Sequence, residues 1–320
     1  MPTITEALDF LRENHSLREP AESPWRTLEE TEHANQMDWD RLWSDEWEFP
    51  FSHEDELEIQ QALEDGPPPN GAEPSGCSEN GAHWDKCAWY QPIHFFGNRW
   101  GIFIKERCVR RTAMMIARFV PSRFASRPHV APLRDLYRAA VLVYFLHEHY
   151  HHKIECLGFR LHVVLRNSCY LPYDAAVYRA TLGTDNNIEE ALANADSYLR
   201  LSQSPYSKRI PDYIRFATRD YLRWEFRNCS PPGYRMAVNY LNEADFNAGE
   251  NFLQAQIKEG SVTPGQPVNE WELCPRMAHP FFNVKSNIWT VVPSGGVTRL
   301  PVSSAVYPIS PQQPSPWSPR

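Results

Sequence analysis

The chain lacks several features that would assign it to a specialised class. It contains no run of about 18 uncharged apolar residues, so we expect no membrane-spanning helix. Its opening residues, MPTITEALDFLRENHSL, include acids and no apolar centre, which disfavours a secretory signal. The seven cysteines never form a CxxC pair, so we expect no cysteine-based zinc site. Without an export signal, the sequence predicts a cytoplasmic protein with reduced thiols.

Prolines and tryptophans are abundant instead. The 28 prolines indicate long irregular stretches, whereas the 11 tryptophans are typical of a chain with a folded core. The length of 320 residues suffices for one large domain with appendages, or for two domains.

Charge is distributed unevenly along the chain. Residues 1–80 hold 21 acidic and 4 basic residues, whereas residues 81–320 hold 19 acidic and 28 basic residues. An acidic segment of this kind is either solvated or docks on the more basic remainder of the chain. Within it, Trp39, Trp43 and Trp47 recur at every fourth position. On a helix they would form one apolar face that requires a cover.

Shifts in composition divide the chain into five regions. We predict an acidic N-terminal segment (1–65), a proline- and glycine-rich linker (66–82), a catalytic domain (83–260), a loop and strand extension (261–300) and a disordered proline-rich tail (301–320).

A β-hairpin is predicted early in the third region, with residues 93–96 and 100–105 as its strands. Helical patterns follow over about 107–119, 187–201, 211–228 and 234–258, and a strand pattern over about 287–292.

The strongest functional signal lies in residues 133–155, LRDLYRAAVLVYFLHEHYHHKIE. The apolar residues follow helical spacing, and His147 and His151 lie on the buried stripe. With Glu148 they form an HExxH motif. Positions i and i+4 of a helix point the same way, so the two imidazoles can reach one ion. Glu148 is turned to the neighbouring face, where it can take a proton from a metal-bound water.

A histidine-rich helix end with ordinary hydrogen bonds is the alternative, because four of residues 147–152 are histidines. Histidine and glutamate are costly to bury in an apolar helix without partners, which favours a metal site.

A zinc site of this type needs a third protein ligand. The metzincin extension fails, because it requires glycine at 154 and histidine at 157, where this chain has Ile154 and Leu157. The later stretch Glu190-Ala-Leu-Ala-Asn194 resembles the gluzincin-type zinc peptidases, thermolysin-like in their metal site, and among them the ImmA-type peptidases that act on phage-type repressors. The resemblance implies that Glu190 binds zinc and that Asn194 orients a ligand histidine.

Alternatives to Glu190 remain open at this stage. Asn187 and Glu190 have the spacing of a capping box, and acids in a first helical turn stabilise the helix dipole. Glu155 and Asp185 are the other candidate ligands. Two imidazoles, one carboxylate and an open fourth position suit zinc in a hydrolytic site.

The resemblance implies an α+β, zincin-like fold in which a small, mostly antiparallel sheet packs on the buried HExxH helix, with further helices around it. It also implies a peptide substrate lying along a sheet edge, for which residues 100–105 are the candidate. A donor for the oxyanion is usual in such sites, and the sequence does not choose among Tyr173, Tyr178, Tyr198 and His162.

We therefore expect a zinc-dependent hydrolase, an intracellular metallopeptidase with Glu148 as its base and a protein or peptide as its substrate. The alternative is a non-catalytic interaction or regulatory protein that keeps the zinc-site fold. Arg215, Arg219, Arg223 and Arg227 form a stripe at i+4 spacing, but acids within the same helix can pair with them. No recognition motif accompanies the stripe, which disfavours a nucleic-acid partner.

Overall fold

A computed structural model describes residues 3–19, 26–49, 52–69, 87–121, 131–265 and 280–307. Within these ranges the protein is α+β, with 11 α-helices and one five-stranded mixed sheet. The helices are α1 (Ile4–Glu13), α2 (Trp39–Leu42), α3 (His53–Asp65), α4 (Ile93–Phe96), α5 (Glu106–Ala117), α6 (Ala131–Leu165), α7 (Tyr170–Tyr173), α8 (Arg179–Thr181), α9 (Ile188–Arg200), α10 (Asp212–Asn228) and α11 (Glu243–Glu259). The strands are β1 (Glu32–Met37), β2 (Ala88–Gln91), β3 (Gly101–Lys105), β4 (Ile288–Pro293) and β5 (Val302–Val306). None of these helices is both long enough and apolar enough to cross a membrane.

The sheet has the strand order β2-β3-β4-β1-β5. Only β3 and β4 pair in parallel, and the other three pairings are antiparallel, so the expectation of a mostly antiparallel sheet is confirmed. β2 is one edge of the sheet, and β5 is the other.

The predicted hairpin is wrong in its first strand. Residues Ile93–Phe96 form α4, and the partner of β3 is β2, with Tyr90 opposite Ile102. All four residues of α4 are buried, so their apolar run fits a strand and a helix equally well. The expected edge at residues 100–105 is also wrong, because β3 lies between β2 and β4.

Helix α6 is 35 residues long and carries the HExxH motif in its middle. It contacts α5, α9, α10, β2 and β3, so its predicted burial is confirmed. Helix α9 lies close against it because Ala193 is small and fully buried, and the Ser197 hydroxyl donates to the Val143 carbonyl over 3.2 Å. The motif therefore lies between α9 on one side and the edge strand β2 on the other.

The acidic N-terminal region contributes both to the sheet and to the core. Strand β1 lies between β4 and β5. Trp39, Trp43 and Trp47 are each 3% exposed, and the Trp39 ring packs on Phe145 with 4.4 Å between centroids. Residues 70–82 of the predicted linker lie outside the described residues.

Two further expectations need correction. The tail predicted to be disordered from residue 301 first forms β5, which pairs with β1; residues 308–320 lie outside the described part. The helix predicted over 234–258 is a 3₁₀ turn (Tyr234–Tyr240) followed by α11, since the Asn242 side chain accepts from the N–H of Asp245 and starts a new helix there.

The expectation that all thiols are reduced is wrong for one pair. Cys87 and Cys108 form a disulfide that joins the residue before β2 to the first turn of α5. Cys156 and Cys169 are free thiols, and Cys77 and Cys274 lie outside the described residues. Scattered cysteines give no sequence signal for such a pairing. The cytoplasmic location stays a prediction.

Candidate metal centre

His147 and His151 lie one helical turn apart on α6 and face the same point. Their Nε2 atoms are 3.3 Å apart, and the two residues are only 1% and 2% exposed. The i, i+4 spacing therefore brings the two imidazoles to one point, as helix geometry predicts.

Glu190 approaches the same point from α9. Its Oε2 lies 3.3 Å from His147 Nε2 and 3.5 Å from His151 Nε2. The Asn187 side chain starts α9 by accepting from the N–H of Glu190 over 3.1 Å. The Glu190 side chain, however, points to the histidines rather than back to the cap, so it does not complete a capping box.

The three atoms form a triangle that fits a metal. Its edges are 3.3, 3.3 and 3.5 Å. Two ligand atoms at about 2.0–2.1 Å from a tetrahedral zinc are about 3.3–3.4 Å apart. In addition, Glu190 Oε2 is buried and accepts no hydrogen bond from the described residues. A metal ion would give this oxygen a closer partner than the two imidazole nitrogens, which lie 3.3 and 3.5 Å away.

Glu148 lies beside the triangle. It is 2% exposed, and one potential ligand atom from each of His147, Glu148 and His151 lies within 4.8 Å of the others. This buried histidine–glutamate group could hold a metal ion. Donor chemistry restricts the ion without identifying it, since imidazole and carboxylate suit several divalent metals.

Hydrogen bonds behind the triangle orient its members. His151 Nδ1 lies 2.7 Å from Glu189 Oε1, and Tyr173 donates to the other oxygen of Glu189. Tyr178 donates to Glu190 Oε1 over 2.5 Å, which leaves Oε2 to face the histidines. Glu189 was not predicted as an orienting group, although metal-binding histidines commonly use a carboxylate in this way.

Asn194 is fully buried and lies one turn after Glu190 on α9. Its Nδ2 donates to the carbonyl of Tyr234 over 3.3 Å. The role that the family resemblance implies for Asn194, orienting a ligand histidine, stays a prediction.

Electrostatics favour the charge states that ligands need at His147 and Glu190, but a protonated imidazole at His151. Burial lowers the pKa of His147, which keeps this imidazole neutral. Burial also acts to lower the pKa of His151, but the carboxylates of Glu190 and Glu189 outweigh it and raise that pKa well above its ordinary value. Burial would raise the pKa of Glu190, yet His151 and His147 together lower it, so Glu190 is a carboxylate.

The other candidate ligands lie elsewhere. Asp185 pairs with Arg235 at the surface. Glu155 accepts hydrogen bonds from the end of β2 and the start of α4. Neither carboxylate is directed at the histidines.

The four candidate oxyanion donors separate into two groups. Tyr173 and Tyr178 adjoin the centre but donate to Glu189 and Glu190 instead. Tyr198 accepts a hydrogen bond from Arg223 and lies about 12 Å along α9 from Glu190. The His162 ring packs against Phe10, 5.0 Å between centroids, at the far end of α6.

A cavity of about 60 Å³ opens onto the triangle and Glu148. Its walls also include five residues that lie outside the triangle: Arg26, Ala88, Trp89, Leu182 and Tyr234. The Tyr234 ring lies parallel to His147, 5.8 Å between centroids. Sequence reasoning missed Arg26 and Tyr234, because neither belongs to a motif and both are distant from His147 along the chain.

No family model, curated protein or solved structure matches this chain. What the centre does must therefore be inferred from its geometry.

Proposed function

We propose that this protein is a zinc-dependent hydrolase, specifically a metallopeptidase with a zincin-like site. His147, His151 and Glu190 would hold the zinc ion, and Glu148 would act as the catalytic base. The observation that carries the proposal is the triangle of Nε2, Nε2 and Oε2 atoms, whose edges match a tetrahedral metal site and whose oxygen accepts no hydrogen bond from the part of the chain that the structure describes.

Zinc bound there would supply Lewis acidity toward a carbonyl group and a water molecule. Glu148 is not needed to complete the triangle. Its carboxylate would take a proton from the attacking water and pass it to the leaving amine. Glu189 would hold His151 with its Nε2 toward the zinc, Asn194 would orient His147, and Tyr178 would hold Glu190.

Strand β2 supports a peptide as the substrate. It is the edge of the sheet next to α6, and Ala88 and Trp89 belong to the cavity wall. An extended peptide can add to the unpaired backbone groups of such an edge. A cavity of about 60 Å³ holds an ion and water but no peptide, so the wall that contains Arg26 has to move when substrate binds.

Nucleic acid is not proposed as a partner. In the described part of α10, Arg215 pairs with Asp212, and Arg223 pairs with Asp220. The arginine stripe is thus partly neutralised along its own helix.

Glu148→Gln tests the proposal most simply. This variant should retain zinc, because His147, His151 and Glu190 are intact, and should lose about 10²–10⁴-fold in the rate of peptide hydrolysis. The measurements are zinc content by mass spectrometry and cleavage of a fluorogenic peptide library. A wild-type protein that binds zinc but cleaves nothing would contradict the proposed activity. It would instead support the second candidate, a non-catalytic protein with a zinc-site fold, which the small cavity favours.

A further inference from the structure

Helix α6 carries a second buried carboxylate, Glu155, one turn beyond His151. Its Oε1 accepts from His94 twice, from the backbone N–H over 2.8 Å and from the ring Nδ1 over 2.6 Å. Its Oε2 accepts from the N–H of Ile93 over 3.0 Å and from the Tyr90 hydroxyl. Four donors thus converge on one carboxylate that is 1% exposed.

The hydrogen bonds continue behind Tyr90. Since Tyr90 donates its own proton to Glu155, the Nδ1–H of His152 donates to the Tyr90 oxygen over 2.8 Å. The Trp100 ring, from the residue before β3, stacks on His152 with 5.0 Å between centroids.

All four donors to Glu155 come from one short segment of chain. Tyr90 belongs to β2, and Ile93 and His94 open α4 immediately after it. Ala88 and Trp89, earlier in the same strand, form part of the cavity wall. A single side chain of the metal-binding helix therefore fixes the strand that borders the metal centre.

We propose that Glu155 is a positioning residue that fixes the position of the edge strand β2 relative to His147 and His151. A peptide bound along β2 would then present its carbonyl group to the metal. This inference rests on the proposed peptidase function. It assigns Glu155 no contact with substrate or metal.

The chemistry of the network requires a carboxylate. Both oxygens of Glu155 face N–H or O–H donors, so the amide of a glutamine would direct its own N–H groups against two of them. Those donors would then be buried without an acceptor. The strand would shift away from α6 while the metal ligands, one turn earlier, keep their own hydrogen bonds.

The test compares Glu155→Gln with Glu225→Gln in the full-length zinc-loaded protein. Glu225 is also a buried carboxylate, but it lies on α10 beside Tyr221 and Arg111. Two inhibitors serve as probes: acetohydroxamate, which reaches only the metal, and a peptidyl hydroxamate, which also extends along the edge strand. Hydrogen exchange of the β2 amides reports the strand directly.

We expect Glu155→Gln to weaken binding of the peptidyl hydroxamate by about 10-fold or more. Hydrogen exchange at the amides of Ala88–Gln91 should become faster by a similar factor. Affinity for zinc and for acetohydroxamate should stay within about 2-fold, and Glu225→Gln should change none of these quantities. If Glu155→Gln does not fold, Tyr90→Phe removes one donor and should produce the same pattern with a smaller amplitude.

Equal weakening of both hydroxamates would overturn the proposal, because it would mean that the metal centre itself is disturbed. Unchanged exchange in β2 would overturn it as well. If instead the proposed peptidase function is wrong, the wild-type protein would bind neither hydroxamate. Faster hydrogen exchange of β2 in Glu155→Gln would then still support the link between α6 and β2.

Discussion

Two histidine–carboxylate clusters lie on the same helix, one turn apart, and they differ in how their carboxylates are satisfied. In the metal centre, Glu190 Oε2 faces two imidazole Nε2 atoms and accepts no hydrogen bond from the described residues. In the neighbouring cluster, Glu155 accepts four hydrogen bonds. Both carboxylates are buried, and both have lowered pKa values: for each, burial raises the pKa, and the histidine partners outweigh it.

The difference shows that burial beside histidine does not by itself identify a metal ligand. A carboxylate saturated by N–H and O–H donors has no lone pair to spare and serves to hold elements together. A carboxylate with a bare oxygen at tetrahedral distances from two ring nitrogens has the geometry of a ligand. Glu225 shows a third outcome, since burial outweighs its contacts with Tyr221 and Arg111 and raises its pKa to about 7, which favours the protonated form.

Replacing the two carboxylates should produce the largest contrast. Glu190→Gln should weaken zinc binding by more than about 100-fold, because even a group behind the ligands is worth about 10–100-fold. Glu155→Gln should leave zinc affinity nearly unchanged. Competition with a chromophoric chelator measures both values, and similar losses in the two variants would break the distinction between the clusters.

The orienting carboxylate should have an intermediate effect. Glu189→Gln keeps the side chain's size but weakens its hold on His151 Nδ1, so zinc affinity should fall by about 10–100-fold. Tyr173→Phe, which removes the hydroxyl that holds Glu189, is the matched milder variant. A Glu189→Gln protein with unaltered zinc affinity would show that the hydrogen bond to His151 does not support the metal.

The smallest effect concerns the third buried carboxylate. Because the pKa of Glu225 is about 7 in the folded protein and its ordinary value is 4.5, the folded state binds the extra proton between these values. Its contribution to the free energy of unfolding is complete below pH 4.5 and is lost as the pH rises through 7, a change of about 3–4 kcal/mol. Denaturant titrations of wild type and Glu225→Gln should differ by this slope. Parallel pH profiles would show that the carboxyl group is not protonated in the folded protein.

The sequence predicted the geometry of the candidate metal centre better than its surroundings. The i, i+4 spacing of His147 and His151 on an apolar stripe requires only helix geometry, and the pattern from Glu190 to Asn194 suggested the carboxylate that lies beside them. Glu189 was overlooked because acids in a first helical turn are common for electrostatic reasons alone. Arg26 and Tyr234 reach the cavity only through the tertiary fold, which spacing along the chain does not encode.

The sheet was harder to predict for a related reason. Residues 93–96 are too few and too uniformly buried for either period to be visible, and a distant carboxylate accepts the first N–H groups of the helix that they form. β1 and β5 are short and come from regions whose composition is acidic or proline-rich. Their pairing depends on partners far away in sequence.

The most direct test of the central claim is the coordination of zinc in the loaded protein, measured by X-ray absorption or by a crystal structure. Two imidazole nitrogens and one carboxylate oxygen should lie within about 2.0–2.2 Å of the ion, from His147, His151 and Glu190, with a non-protein ligand completing the site. A protein that binds no zinc under these conditions, or holds it without Glu190, would contradict the account.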